Sequence, residues 1–346
     1  MAGRPDIALI SLGTTMGLRR ADEAFAAQVE AAGARCRVVA VEIGAAGGLR
    51  RSMALTDLVE ALAARRAARG VDARAVVYST VTAALLQPPR APYAVRFDRT
   101  AAGNRPGVGG AWQRRRERSV LAGAALLLPW SEEAAAGLDH ADRTVVLSPP
   151  VLAAPGPAED APDAVAYAAN PDKRGLDLLC DAWAAAAPAG ARLGIGGLDR
   201  AEGLRWLAKL GAVEPAGVEW LPTTSPEDWR ALVAGAKVFV NASKIEDWGI
   251  AQMEALASGT PLVTVPTPGP NPALALAREL APELVAAERT SAALAQALRA
   301  GLALDVPARE RYAARSARMV EPYSEESLRR TVAEEILPRL RASSVS

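Results

Sequence analysis

The chain has 346 residues, enough for two domains at the usual ~100–200 residues each, and half of them are hydrophobic. Its 40 basic and 39 acidic residues nearly cancel, which excludes a global attraction to nucleic acid. No apolar run reaches the ~18 residues of a membrane span, and Ile7 to Leu12 is too short for the h-region of a signal peptide.

The halves differ in charge. Residues 1–150 hold 20 arginines against 14 carboxylates, a net +6, and the remainder is −5. All four lysines (Lys173, Lys209, Lys237, Lys244) lie in the second half. Cys36 and Cys180 have no metal-ligand spacing, and two unpaired thiols in a reducing cytosol are expected.

In chain order, Ile7 to Leu12 reads as a strand, followed by Gly13-Thr14-Thr15-Met16-Gly17. A helix carrying Ala24, Phe25, Val29 and Ala32 ends at Gly33. Further strands are expected at Cys36 to Val41, Ala75 to Tyr78, Tyr93 to Phe97 and Ala124 to Leu128, with a helix from Leu55 to Arg69. Ser131 caps a helix with Glu132 and Glu133 in its first turn. Val145 to Leu147 reads as the closing strand of this half. The Pro-rich stretch Ser148 to Asp163 is the expected interdomain linker, its core 151–163.

The pattern then restarts. Strands are expected at Ala164 to Ala168, Arg192 to Ile195, Val218 to Leu221, Lys237 to Val240 and Leu262 to Val265. Helices are expected at Leu176 to Ala187, Ala201 to Leu210 and Glu227 to Leu232. Leu328, Val332, Ile336 and Leu340 form one stripe on a final helix. Alternating strands and helices give an α/β class with parallel sheets. The expected domains are 1–150 and 164–322, with 323–346 as a terminal helix.

The run from Glu246 to Val263 is the most informative stretch. Two glutamates stand eight positions apart with Gly249 between them, just after an apolar strand. Glu246 falls on a loop, where it can accept bonds from sugar hydroxyls. Gly249 and Ile250 open a helix whose N-terminus suits a diphosphate. Glu254, about two turns in, can accept from ribose hydroxyls.

This string, with Asn241-Ala242-Ser243 before it and Glu-Ala-Leu-Ala-x-Gly-x-Pro-Leu-Val in it, resembles the signature of family 4 retaining glycosyltransferases. The resemblance is close in the second half and loose in the first. It implies the GT-B fold: two Rossmann-like domains facing across a cleft, the last helix crossing back to the first domain. It implies sugar transfer from a nucleoside-diphosphate donor, with retention of configuration.

No Asp-x-Asp motif or His/Cys cluster stands out, so the expectation is a reaction without metal or cofactor. Cations for the diphosphate come from Lys173 and Arg174, where the family has Lys-Gly. Ala169 and Asn170 stand where the family has Gly-Arg, so one cation is missing, and Lys173 or Lys244 is its substitute. Gly13, Gly17 and Gly196 are further donor-side candidates, because glycines let backbone amides approach a phosphate. The family's first-domain His is absent, and Asp98 falls nearest to its place. His140 reads as a surface residue.

Arg99, Arg105 and Arg114 lie in a Gly-rich basic stretch continuing through Arg118. They suit an anionic or lipid-linked acceptor, or a peripheral contact with the inner membrane face of a cytoplasmic protein. A solvated arginine face is the alternative. Two other functions stay open at this level: a nucleotide-sugar epimerase or hydrolase on the same fold, and a non-catalytic GT-B scaffold. The donor base, its sugar and the acceptor are not fixed by sequence.

Overall fold

A computed structural model describes residues 4–44, 53–88 and 92–342. It divides into two compact units, Met1–Pro150 with Tyr323–Ser346, and Val151–Pro322. Among the described residues no helix is long and apolar enough to cross a membrane.

The first unit is a parallel sheet of β1 (Ile7–Ser11), β2 (Cys36–Ala40), β3 (Ala75–Tyr78), β4 (Tyr93–Phe97) and β5 (Leu126–Pro129), in the order β2-β1-β3-β4-β5. β1, β3 and β5 are buried along their whole length, and only the edge strand β2 is largely exposed. Strands covered on both faces read as continuous apolar runs, which is why these segments are visible in sequence.

Val145 to Leu147 does not become a sixth strand. Val145 N donates to Leu127 O and Leu147 N to Pro129 O. The return bond would have to come from Pro129, which has no N–H. Only a single bridge, Leu127 to Thr144, remains.

The C-terminal stripe packs on this unit. Leu328, Val332, Ile336 and Leu340 join Ile7, Leu9, Phe25 and Leu126 in one core cluster. The helix Glu325–Thr331 passes through a wide i→i+5 turn at Val332–Ile336 before Leu337–Ala342. Apolar residues repeating strictly every fourth position drift around an ordinary helix of 3.6 residues per turn. The widened turn corrects that drift.

The helix Met53–Ala67 is inverted relative to the usual amphipathic pattern. Asp57 and Glu60 are buried, while Leu55, Leu58 and Leu62 are exposed. Ala61, Ala64 and Ala68 fill the core instead. Asp57 receives two bonds from Arg105, at 2.6 Å and 2.7 Å.

Glu117, in the helix Ala111–Gly123, is also buried and accepts from Ala101 N at 2.7 Å. Burial pushes its carboxyl up to about 7, against the opposing pull of the Ala101 N–H and Arg105. With a folded pKa above the unfolded 4.5, the folded state binds more protons in between. Stability is therefore lost as pH rises from about 4.5 through 7. Glu117→Gln keeps the acceptor for Ala101 without the charge. It should stabilise the protein at pH 8 by on the order of 2–3 kcal/mol, and much less at pH 5. Urea unfolding at both pH values measures this, and equal effects at both would contradict it.

The second unit repeats the architecture with β6 (Ala164–Tyr167), β7 (Leu193–Gly196), β8 (Val218–Leu221), β9 (Val238–Asn241) and β10 (Leu262–Thr264), ordered β10-β9-β6-β7-β8. Every pairing is parallel. Strand order reverses between β6 and β9, where open α/β sheets bind ligands beyond the carboxyl ends of their strands. Helices Pro272–Leu280, Ser291–Leu302 and Val306–Val320 complete this unit. The last is tied to the motif helix and β10: Ser316 Oγ donates to Leu256 O at 2.7 Å, and Tyr312 Oη accepts from Leu262 N at 3.1 Å.

Candidate active site

Two loops meet where the strand order reverses in the second unit. One follows β6 and carries Asn170 to Gly175; the other follows β9 and carries Ala242 to Gly249. Asn170 Oδ1 accepts from Lys173 N at 3.3 Å, so Pro171–Arg174 forms one helical turn. Gly175 ends it with φ of 65° and opens the helix Leu176–Ala186. A Cβ there would fall 2.2 Å from Ala242 O, so only glycine lets the loops touch. Lys244 N then donates to Lys173 O at 2.8 Å.

The second loop is set from below by buried polar groups. Asn241 Nδ2 donates to Thr264 Oγ1 at 3.0 Å and Ser243 Oγ to Asn241 Oδ1 at 2.7 Å. Glu246 N is held by Pro268 O at 3.1 Å. Gly249, with φ of 75°, starts the helix Ile250–Ala257 with no side-chain cap, leaving the first-turn amides to other partners.

This scaffold brings Arg174 and Glu246 together across 72 positions. Arg174 Nη1 donates to Glu246 Oε2 and lies 3.4 Å from Ser243 Oγ. Glu246 is 5% exposed. Gln252 Nε2 donates to the same Glu246 oxygen at 3.3 Å. A niche of about 10 Å³ adjoins them, lined among others by Arg174, Glu246, Gly249 and Gln252.

Lys173 Nζ lies 4.0 Å from Asp247, and Lys244 Nζ 2.6 Å from Asp172, whose carboxyl it holds below the usual range. Glu254, in the second turn of its helix, faces Arg230 Nη1 at 3.7 Å. Ile250 is the first residue of that helix and half-buried. Gly196 ends β7, and a Cβ there would fall 2.3 Å from the Trp229 ring, a packing reason for the glycine.

In the first unit Gly13 follows β1, and Gly17 lies in the first turn of the helix Met16–Ala31. Asp98 and Arg99 follow β4 and are half-buried. Arg105 is bound by Asp57, and Arg114 Nη1 donates to Arg105 O. Arg116 donates twice to Leu85 O, at 3.0 Å and 2.8 Å. The arginine stretch is therefore partly structural, with Arg115 and Arg118 left exposed.

Sequence reasoning missed four residues that the fold places at or near the second-unit site. Arg289 donates to Ser243 O and Ala242 O at 3.2 Å and 3.1 Å, and reaches within 2.6 Å of where a Gly175 Cβ would stand. Arg230, Gln252 and Asn271 are the others. Nothing in their local sequence marks them, and their place at the site is set by tertiary structure.

Together the loops offer cations and two helix N-termini beside a buried carboxylate. Such a set can hold a diphosphate and stabilise charge developing on it. Cys180 is buried, and burial pushes its thiol up to about 12, which disfavours the thiolate a nucleophile needs.

No protein of curated function matches the chain in sequence. The family profile described as Glycosyl transferases group 1 matches residues 162–303. Among solved structures, the sucrose-phosphate synthase of Thermosynechococcus elongatus aligns with TM-score 0.72 and 16% identity, over 98% of this chain and 100% of that one. WaaG, a glycosyltransferase involved in lipopolysaccharide biosynthesis, aligns with TM-score 0.68 and 16% identity, over 95% of this chain and 98% of that one. Anabaena HepE in complex with UDP-glucose gives 0.67 and 14%, over 95% and 98%. The likeness shows the fold, that of GT-B glycosyltransferases, and the matched segment 162–303 supports a glycosyltransferase.

Proposed function

We propose that this chain transfers a sugar from a nucleoside diphosphate to an acceptor with retention of configuration and without a metal. The observation that carries the reading is the Arg174–Glu246 pair, placed where the strand order reverses and beside the helix that bears Glu254. In this reading Arg174, Lys173 and the helix amides at Gly249 and Ile250 hold the diphosphate. Arg289 supplies the cation that sequence left missing. Glu246 meets the sugar, and Glu254 shares itself between Arg230 and the ribose.

The leaving diphosphate gathers negative charge as the glycosidic bond breaks, and fixed cations meet it without reorganising. The phosphate oxygen so freed helps to take the acceptor's proton, front face to front face. HepE binds UDP-glucose, which suggests a uridine donor here. Arg99, Arg105 and Arg114 remain our candidates for the acceptor side, with an anionic or lipid-linked acceptor at the inner membrane face, and Asp98 remains the catalytic candidate of the first unit. The two unpaired thiols suit a cytoplasmic protein.

The test is donor turnover with UDP-, GDP- and ADP-sugars in the presence and absence of EDTA. One donor should be consumed, with the anomeric configuration kept by NMR, and the rate should survive EDTA. Activity lost in EDTA and restored by magnesium or manganese would sink the metal-free mechanism. No consumption of any donor, with or without metal, would favour the scaffold reading.

A further inference from the structure

Two buried amides at this site carry polar atoms with no hydrogen-bond partner among the described residues. Gln252 is 2% exposed and Asn271 7%. Gln252 Oε1, Asn271 Oδ1 and Asn271 Nδ2 make no hydrogen bond. A buried polar atom left this way is destabilising, and native structures hold few of them.

Asn271 is also the N-cap of the helix Pro272–Leu280, where asparagine ordinarily accepts from an amide of the first turn. Its side chain makes no such bond. Instead Asn271 Oδ1 lies 3.2 Å, and Gln252 Nε2 2.9 Å, from the point where a Gly249 Cβ would stand. The two amides thus converge on Gly249, next to the Arg174–Glu246 pair. The niche of about 10 Å³ that Gln252 lines has room for about one water-sized group, the size of a hydroxyl.

We propose that Gln252 and Asn271 read the hydroxyls of the donor's sugar, and that the sugar is a neutral hexose. An amide offers an acceptor and two donors, which a hydroxyl, itself both donor and acceptor, can satisfy. The charged side chains that line the niche, Arg174 and Glu246, are paired with each other, so the niche itself offers no unpaired charge to a uronate carboxylate or a free amine on the sugar. Sites built to hydrogen-bond a substrate hydroxyl discriminate strongly against analogues that misplace it. The pair therefore sets which sugar is accepted rather than how tightly the nucleotide is held. This inference rests on the glycosyltransferase reading above.

The experiment is calorimetry on the full chain with UDP, UDP-glucose, UDP-galactose and UDP-glucuronate, alongside GDP, ADP and their hexose derivatives. The preferred nucleotide is then measured with Gln252→Leu and Asn271→Ala. The wild type should reject the uronate. Each variant should bind the free diphosphate within about twofold of wild type and lose about tenfold of its preference for the best hexose over its epimer. If Asn271→Ala does not fold, Asn271→Ser, whose hydroxyl suits an N-cap position, takes its place.

An unchanged epimer preference, or an equal loss for the free diphosphate, would overturn the inference. A wild type that binds a diphosphate but does not distinguish its sugars would overturn it while leaving the proposed function standing. A wild type that binds no nucleotide would remove both.

Discussion

Arg174→Ala should lower transfer turnover by about a hundredfold to a thousandfold, the usual effect of removing one fixed donor to a developing negative charge. Its effect on diphosphate affinity should be no larger, because the charge on the leaving group grows in the transition state. A second consequence follows from the geometry. Glu246 is buried and has Arg174 as its cation, so the variant also leaves a buried carboxylate uncompensated. The double variant Arg174→Ala with Glu246→Gln removes that charge. It should recover thermal stability, but neither turnover nor the share of diphosphate affinity that Arg174 supplies. Single-turnover kinetics, calorimetry and thermal melts on the three proteins separate the two roles. Turnover within threefold of wild type in Arg174→Ala would exclude Arg174 from the chemistry. Recovery of turnover in the double variant would show that Arg174 only neutralises Glu246.

The parts of this site that sequence exposes are those encoded by contiguous residues. β3 is an apolar run and β4 and β8 are apolar but for Arg96 and Glu219, and the limits of all three match the sequence pattern. Glu246, Gly249 and Glu254 belong to a strand–loop–helix string whose order is its own signal. What stays hidden depends on partners far along the chain. Nothing local in Arg105 announces Asp57, 48 positions away. Arg289 reaches the β9 loop over 46 and 47 positions.

The helix Met53–Ala67 shows the limit from the other side. Its leucines suggest the buried face, yet alanines and two carboxylates occupy it. The helices between Pro272 and Val320 escaped for a related reason. Their apolar faces are built largely from alanine and short runs between prolines, and Asp305, which accepts from Ala308 N at 2.8 Å, with Pro307 marks one start plainly.

Asp22→Ala should destabilise the first unit by about 3–5 kcal/mol, the range for removing one partner of a buried ion pair. Arg96 Nη1 and Asp22 Oδ1 are 2.8 Å apart, with both side chains almost wholly buried. Arg96 also donates to Ala21 O at 3.2 Å and lies 4.6 Å from the centre of the Phe25 ring. Ser11 Oγ donates to the other Asp22 oxygen at 2.6 Å, and Leu12 N to Ser79 Oγ at 2.9 Å. The pair thus joins β4 and the end of β1 to the helix Met16–Ala31, and fixes the loop that carries Gly13. Without Asp22 the guanidinium keeps its burial and loses its counter-charge. Asp22→Ala combined with Arg96→Met removes both charges and fills the space, so it should regain most of the loss. Urea unfolding of the wild type, the single and the double variant gives the comparison. A single variant that loses under about 1 kcal/mol, or a double variant as unstable as the single, would show that packing rather than the ion pair holds this helix to the sheet.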